Sequence, residues 1–175
     1  MSYVMKEHLA NKANYGSKRD LSKIKYLVIH YTSNDGDSDE SNGKYFAREI
    51  VKASAHYFVD DDSVTHSVPD DYVAYSVGGK CQSAHHPYYG TIKNANSISI
   101  EMCDNHKDGT VHICDETLAN TYALARALMK KYNIKRCYYG HLHANSIQDA
   151  IEGNAEGIEY KLVSSDGLDF KLLKI

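Results

Sequence analysis

Lys25–Thr32 reads KYLVIHYT, with apolar side chains filling positions 26–29, a histidine at 30 and a polar stretch, Thr32-Ser33-Asn34-Asp35-Gly36, just beyond it. A short apolar run of this kind predicts a strand buried on both faces. His30 then falls where that strand opens onto a surface. Rigid scaffold below and a loop above is where a metal ligand or a catalytic base is best held. A lone histidine is more often structural, so the assignment depends on partners elsewhere in the chain.

The chain has 175 residues, enough for one domain with a real core. Hydrophobic residues make up 42% and charged residues 25%, a balance that argues against disorder. A net charge of −3 argues against nucleic acid as a partner, because phosphate binding needs a clustered basic excess. Lys18, Arg19, Lys23 and Lys25 are interrupted by Asp20 and read as a solvated stretch. No 18-residue apolar segment is present, so no membrane span is expected. MSYVMKEHLANKANYG has neither an apolar h-region nor a small-residue cleavage site, the pattern of a protein made in the cytoplasm without a classical export signal. Cys81, Cys103, Cys114 and Cys137 are widely spaced and read as free thiols. The 15 tyrosines, with no tryptophan, suit a groove that must be apolar and hydrogen-bonding together.

Residues 1–24 read as an irregular arm before the first core strand at 25–31. The stretch 32–42 reads as a loop, and Ser41-Asn42 as cap candidates for a helix over about 43–53. His56-Tyr57-Phe58-Val59, the turn Asp60-Asp61-Asp62-Ser63 and Val64-Thr65-His66-Ser67-Val68 predict a β-hairpin over 55–68. Residues 71–96 are loop-like. Ser97–Met102 alternates cleanly as a strand. Asp115 is the expected cap of a helix over about 116–132, with Leu118, Tyr122, Ala125, Leu128, Met129 and Tyr132 at helical spacing. Cys137-Tyr138-Tyr139 reads as a short last strand. Strands and helices in this order predict an α/β fold, a mixed central sheet flanked by helices.

Period-two geometry puts Ile98, Ile100 and Met102 on one face of their strand and Ser97, Ser99 and Glu101 on the other. Glu101 therefore points into water or into a cleft. The segment Gly140–Asp149 is the second dense site. Zinc takes imidazole nitrogens and carboxylate oxygens, and a catalytic zinc keeps three protein ligands. His30, His141 and Asp149 would form such a set; His141 and His143, two residues apart, can also face one metal if the segment is extended.

Taken in order, KYLVIHYTSN, SAHYFVDDDSVTHSVPDDYVAYSVGG, NANSISIEMCDN and a helix ending MKKYNIK with a histidine soon after resemble the zinc-dependent N-acetylmuramoyl-L-alanine amidases, which include phage and prophage endolysins and are related to peptidoglycan recognition proteins. The resemblance runs from about residue 8 to 135. It implies a single catalytic domain over 1–175: an arm at 1–24, a family core at 25–150 and an extension at 151–175. It implies zinc held by His30, His141 and Asp149, with Glu101 as the catalytic carboxylate beside the metal. The implied partner is peptidoglycan, reached at the cell wall after release through a holin-type pore or lysis. Substrate contacts are expected from His56, Tyr57, Tyr75 and Ser76.

Three departures from the family pattern stand out. Ile147 stands where a site lysine is usual, Ala150 where a proline is, and Tyr75-Ser76 where Trp-His is. The lysine helps hold the oxyanion, an interaction typically worth roughly 3 kcal/mol in comparable sites. His143 or Asn145 is the expected substitute, and a wall-binding module that does not turn over is the alternative expectation. Residues 139–146 and the tail 150–175 resemble instead the end of calcineurin-like metallophosphoesterases, whose earlier metal motifs are not apparent in this chain.

Overall fold

The computed structural model describes residues 3–77, 90–139, 153–155 and 157–162. Its centre is a mixed five-stranded sheet made of β1 (Val4–Glu7), β3 (Tyr26–Asp35), β4 (Tyr57–Val59), β5 (Ser63–His66) and β7 (Ser97–Asp104) in the order β1-β5-β4-β7-β3. β7 lies parallel to both β3 and β4, β4 and β5 form the expected antiparallel hairpin, and β1 adds parallel to β5. Two helices cover the sheet, α1 (Asp39–Arg48) and α2 (Asp115–Lys131). A short pair, β2 (Tyr15–Lys18) with β6 (Tyr72–Ala74), and a small sheet of β8 (Arg136–Tyr139), β9 (Gly153–Ala155) and β10 (Ile158–Leu162) complete the described elements.

Alternation along the strands assigns the faces. Ile98, Ile100, Tyr57, Val59 and Val64 cluster with Leu124, Leu128 and Met129 of α2. Phe58 and Cys103 lie on the opposite face with Ala55, against Phe46 of α1. Phe46 and Phe58 stack with ring centroids 5.3 Å apart, an arrangement worth about 1 kcal/mol beyond the area it buries. Gly43 lets α1 approach the sheet closely, because a Cβ there would stand 2.5 Å from Thr65 Cγ2 and 2.9 Å from Cβ of His8.

Several elements differ from the sequence expectation. The arm carries β1 and β2 and is tied to the core by two buried polar side chains. The Asn14 amide donates to the carbonyls of Phe46 (2.9 Å) and Glu49 (2.7 Å) at the end of α1, and its oxygen accepts from Val51 N at 2.8 Å. It thus satisfies backbone groups that a helix end leaves without partners. Arg19, expected to be solvated, is buried and donates to the carbonyls of Asp70 (3.0 Å) and Ser97 (2.7 Å).

α1 starts at Asp39, earlier than expected, because Ser38 and Ser41 form a reciprocal capping box with Asp39 and Glu40 in the first turn. In α2 the N-cap is Cys114 rather than Asp115, and Tyr122 is exposed while Leu124 is buried. Thr117, Asn120 and Thr121 occupy the buried stripe instead. Asn120 repays its burial by donating to the carbonyls of Asp60 (3.0 Å) and Asp61 (2.9 Å). β3 is half-buried rather than buried on both faces, since it is the outer strand of the sheet among the described residues. It also runs on to Asp35, past a register shift between Tyr31 and Asp35 where Ser33 adopts a φ of 59°. Cys103 and Cys114 are free, as expected.

Candidate active site

The parallel pairing of β3 and β7 sets His30 directly opposite Glu101. Phe58 of β4 pairs with Glu101 on its other side, and Thr65 of β5 pairs with Phe58. Thr65, Phe58, Glu101 and His30 therefore form one row across four strands, all on the α1 face. His30 Nδ1 lies 3.5 Å from Glu101 Oε1. The Glu101 carboxylate, acting first through its hydrogen bond and also through its charge, raises the His30 pKa above its usual value against the opposing effect of burial. Glu101 is the more enclosed of the two, its side chain 18% exposed against 44% for His30.

Glu101 lines a groove of about 350 Å³ whose walls include Tyr31, Thr32, Phe46, Phe58 and Tyr75. Its rim is stiffened by short polar links. The Asp37 carboxylate accepts from the Thr32 hydroxyl at 3.0 Å and from the Asn42 amide at 2.7 Å, fastening the end of β3 to α1. Tyr75 exchanges hydrogen bonds with Ser54, its own N–H reaching Ser54 Oγ at 3.0 Å and Ser54 N reaching its carbonyl at 3.1 Å. Asn94 Oδ1 accepts from the N–H groups of Ser76 (3.1 Å) and Val77 (2.7 Å). The ring of Tyr75 rests over Gly16, where a Cβ would come within 3.2 Å of Tyr75 Cε1.

Of the residues picked from the sequence, His30 and Glu101 come together, and Tyr75 and Ser76 border the same groove. His56 and Tyr57 do not reach it. His56 is buried, its ring between Ser99 on one side and Arg19 and the Tyr72 carbonyl on the other. Burial, reinforced by the Arg19 charge, pushes its pKa down to about 3, so the ring is neutral and structural. Tyr57 points to the α2 face and donates to Asp70 at 2.8 Å. His141, His143, Asn145 and Asp149 lie outside the described residues, as do Ile147 and Ala150. The groove residues Tyr31, Phe46 and Phe58 were missed by the sequence reading. Phe58 was within reach of it, since a hairpin strand beside Ser97–Met102 must set one residue abreast of Glu101.

His30 and the neighbouring Glu101 fit a divalent metal site, an imidazole nitrogen and a carboxylate oxygen being the donor types zinc accepts. Among the described residues the one group of three able to surround a cation is Asp60, Asp61 and Asp62 in the hairpin turn, and it contains neither His30 nor Glu101. No described helix is long and apolar enough to cross a membrane.

Comparison with known proteins bears on this geometry. The chain is 37% identical over 122 residues to the N-acetylmuramoyl-L-alanine amidase CwlL of Bacillus licheniformis, covering 65% of this chain and 32% of that protein. It is 31% identical over 153 residues to the N-acetylmuramoyl-L-alanine amidase BlyA of Bacillus subtilis, covering 81% of this chain and 41% of that one. It thus spans about a third to two-fifths of the length of these relatives. Its fold matches a mutant endolysin from Bacillus subtilis with a TM-score of 0.58 at 22% identity, over 77% of this chain and 80% of the other. The N-acetylmuramoyl-L-alanine amidase family model matches residues 20–156, a stretch that takes in β3, β7 and the residues lining the groove, and the chain belongs to that family.

Proposed function

We propose that this chain hydrolyses the amide bond between N-acetylmuramic acid and L-alanine in the peptidoglycan of the bacterial cell wall. The observation that carries the reading is the pairing of His30 with Glu101 on neighbouring parallel strands, at the mouth of an aromatic groove, in a member of the amidase family. His30 would hold zinc together with His141 and Asp149, with His143 as the alternative third ligand. Zinc bound there supplies a water of pKa about 7 and polarises the lactyl carbonyl.

The remaining steps fall to side chains. Glu101 takes a proton from the attacking water and returns it to the departing amine of L-alanine. Phe58 and His30 flank that carboxylate on the two neighbouring strands and leave its side chain 18% exposed. Tyr31, Phe46 and Tyr75 give the groove flat apolar surfaces, to which the two tyrosines add hydroxyls, and this suits sugar rings and a peptide stem. Asp37 and Asn94 hold the loops that carry those walls, so that substrate meets a preformed groove.

The test is to measure zinc content and the release of L-alanine amino ends from purified peptidoglycan on one preparation. Zinc with release supports the amidase. Zinc without release supports the wall-binding module, the reading favoured by Ile147 in the place of the site lysine. The absence of both zinc and release would overturn the proposal.

A further inference from the structure

A buried carboxylate needs a cation, a full set of N–H and O–H donors, or a proton. Asp39, the first residue of α1, is 0% exposed, and Asp60, just past β4, is 2% exposed. Asp60 is well supplied with donors: Oδ2 accepts from Asp39 N at 3.1 Å, and Oδ1 accepts from the N–H groups of Asp62 (3.2 Å) and Ser63 (3.0 Å). Asp39 is not. Its Oδ2 accepts from the Thr65 hydroxyl at 2.8 Å, while its buried Oδ1 has no partner. The two carboxyl groups lie within hydrogen-bonding reach of each other.

The charged and titratable groups around the pair do not neutralise it. Lys6 of β1 is engaged with Glu40 at 3.1 Å, and Glu40 is also tied to Lys44 on its own helix and lies 3.7 Å from His8. Asp62 in the turn and Asp37 before α1 add negative charge, the latter held by Asn42 and Thr32. From β7 the pair is faced by the Cys103 thiol, which burial, aided by Asp37, Asp60 and Asp39, keeps protonated.

We propose that Asp39 and Asp60 share one proton, which fastens the start of α1 to the end of β4, and that α1 is held less firmly once the proton leaves. Burial, with the Asp60 charge adding to it, pushes the Asp39 carboxyl up to about 6. The proton is therefore exchanged under mildly acidic conditions rather than deep in acid. α1 presents Asn42 and Phe46 to the groove, so this fastening lies directly behind a groove wall. The proposal stands on α1 and the sheet, and needs nothing from the amidase reading.

The test compares the melting temperature of the wild type with that of Asp39→Asn, whose amide can donate to Asp60 as a protonated Asp39 would. An aspartate whose native pKa lies above its ordinary value near 4 penalises the native state as pH rises between those two values, and the penalty is constant above the higher one. The melting temperature of the wild type minus that of Asp39→Asn should therefore fall by roughly 5 °C between about pH 4 and pH 7. Parallel curves would overturn the proposal. A second readout covers the case in which the variant folds poorly: in the wild type, one aspartate carboxyl carbon should titrate near pH 6 by NMR. Carboxyl carbons that all titrate below about pH 5 would overturn it. Calcium that raises the melting temperature of the wild type but not of the variant would assign the pair to a cation and overturn it too.

Discussion

Along β7 the chain alternates between two surroundings. Ile98 and Ile100 enter a closed apolar layer under α2, and Ser97, Ser99 and Glu101 face the side that α1 covers only in part. The α2 layer is built from Leu124, Leu128 and Met129 against branched strand residues, and its burial is what the hydrophobic effect rewards. On the α1 side the strands themselves bury polar groups, the Ser99 hydroxyl and Thr65, beside the His56 ring and Asp39. Each must find a partner, which makes that side costlier to build and able to hold a carboxylate and an imidazole ready. One face holds the sheet together and the other is left free for chemistry.

Neighbouring residues of β7 give the strongest test of this division. Glu101→Gln should lower release of L-alanine amino ends by roughly 10²–10⁴-fold, the usual worth of a general base, with the melting temperature little changed. Ile100→Ala, one position earlier and on the other face, should do the reverse. It is expected to cost about 2–5 kcal/mol in urea unfolding, while the folded protein keeps release of the wild-type order. If Ile100→Ala abolished turnover in protein that is still folded, the separation of the faces would fail.

Gly43 probes the contact between α1 and the sheet. Gly43→Ala improves helix propensity but drives a methyl group toward Thr65 and His8, where the nearest atoms would be 2.5 and 2.9 Å away. The expected net loss is about 1–3 kcal/mol, measured by thermal or urea unfolding. The groove wall formed by Phe46 should shift with it, so the Michaelis constant for peptidoglycan fragments should rise more than the turnover number falls. A variant more stable than the wild type would show that α1 is only loosely seated.

The elements legible in the sequence are those whose pattern is local. Tyr26–Ile29, the hairpin around Asp60–Ser63, and Ser97–Met102 declare themselves through apolar runs and alternation, and the body of α2 through its period. His30 and Glu101 could be paired because each closes the regular part of such a strand. The rest depends on partners distant in sequence. β1 and β2 are only four residues each and show no clean apolar alternation, and they exist because β5 and β6 offer edges to them. Asn14 reaches carbonyls more than thirty residues away, and Arg19 reaches Ser97, so neither reveals its role locally. Tyr122 follows helical spacing as well as Leu124 does. Only the tilt of α2 against β7 decides that Leu124 is buried and that Thr121 takes a place an apolar residue would be expected to fill. The direction of Tyr57 was readable, since its neighbours His56 and Phe58 must share the other face.

Each face also hides an aspartate, and the two should respond to acid in opposite senses. Asp70, on the α2 side, accepts from Tyr57 at 2.8 Å, from Lys131 at 2.9 Å and from the Tyr132 hydroxyl. Burial alone would raise its pKa, but these three donors and the Lys131 charge outweigh burial and hold it below the ordinary value. Its contribution to stability is therefore present above the ordinary aspartate range near pH 4 and is lost as pH falls through the lower native value, the reverse of Asp39. Lys131→Met keeps the aliphatic stem and removes the cation. The Lys131 side chain is 56% exposed and screened by solvent, so the loss at neutral pH should be only roughly 0.5–1 kcal/mol. Once pH falls below that lowered native value the carboxyl is protonated in both proteins, and their melting temperatures should converge. A gap that stays constant down to that pH would mean that Lys131 acts by packing over Tyr132, with its Nζ 5.1 Å from that ring, rather than by charge. The contrast between the two aspartates would then rest on the tyrosine hydroxyls alone.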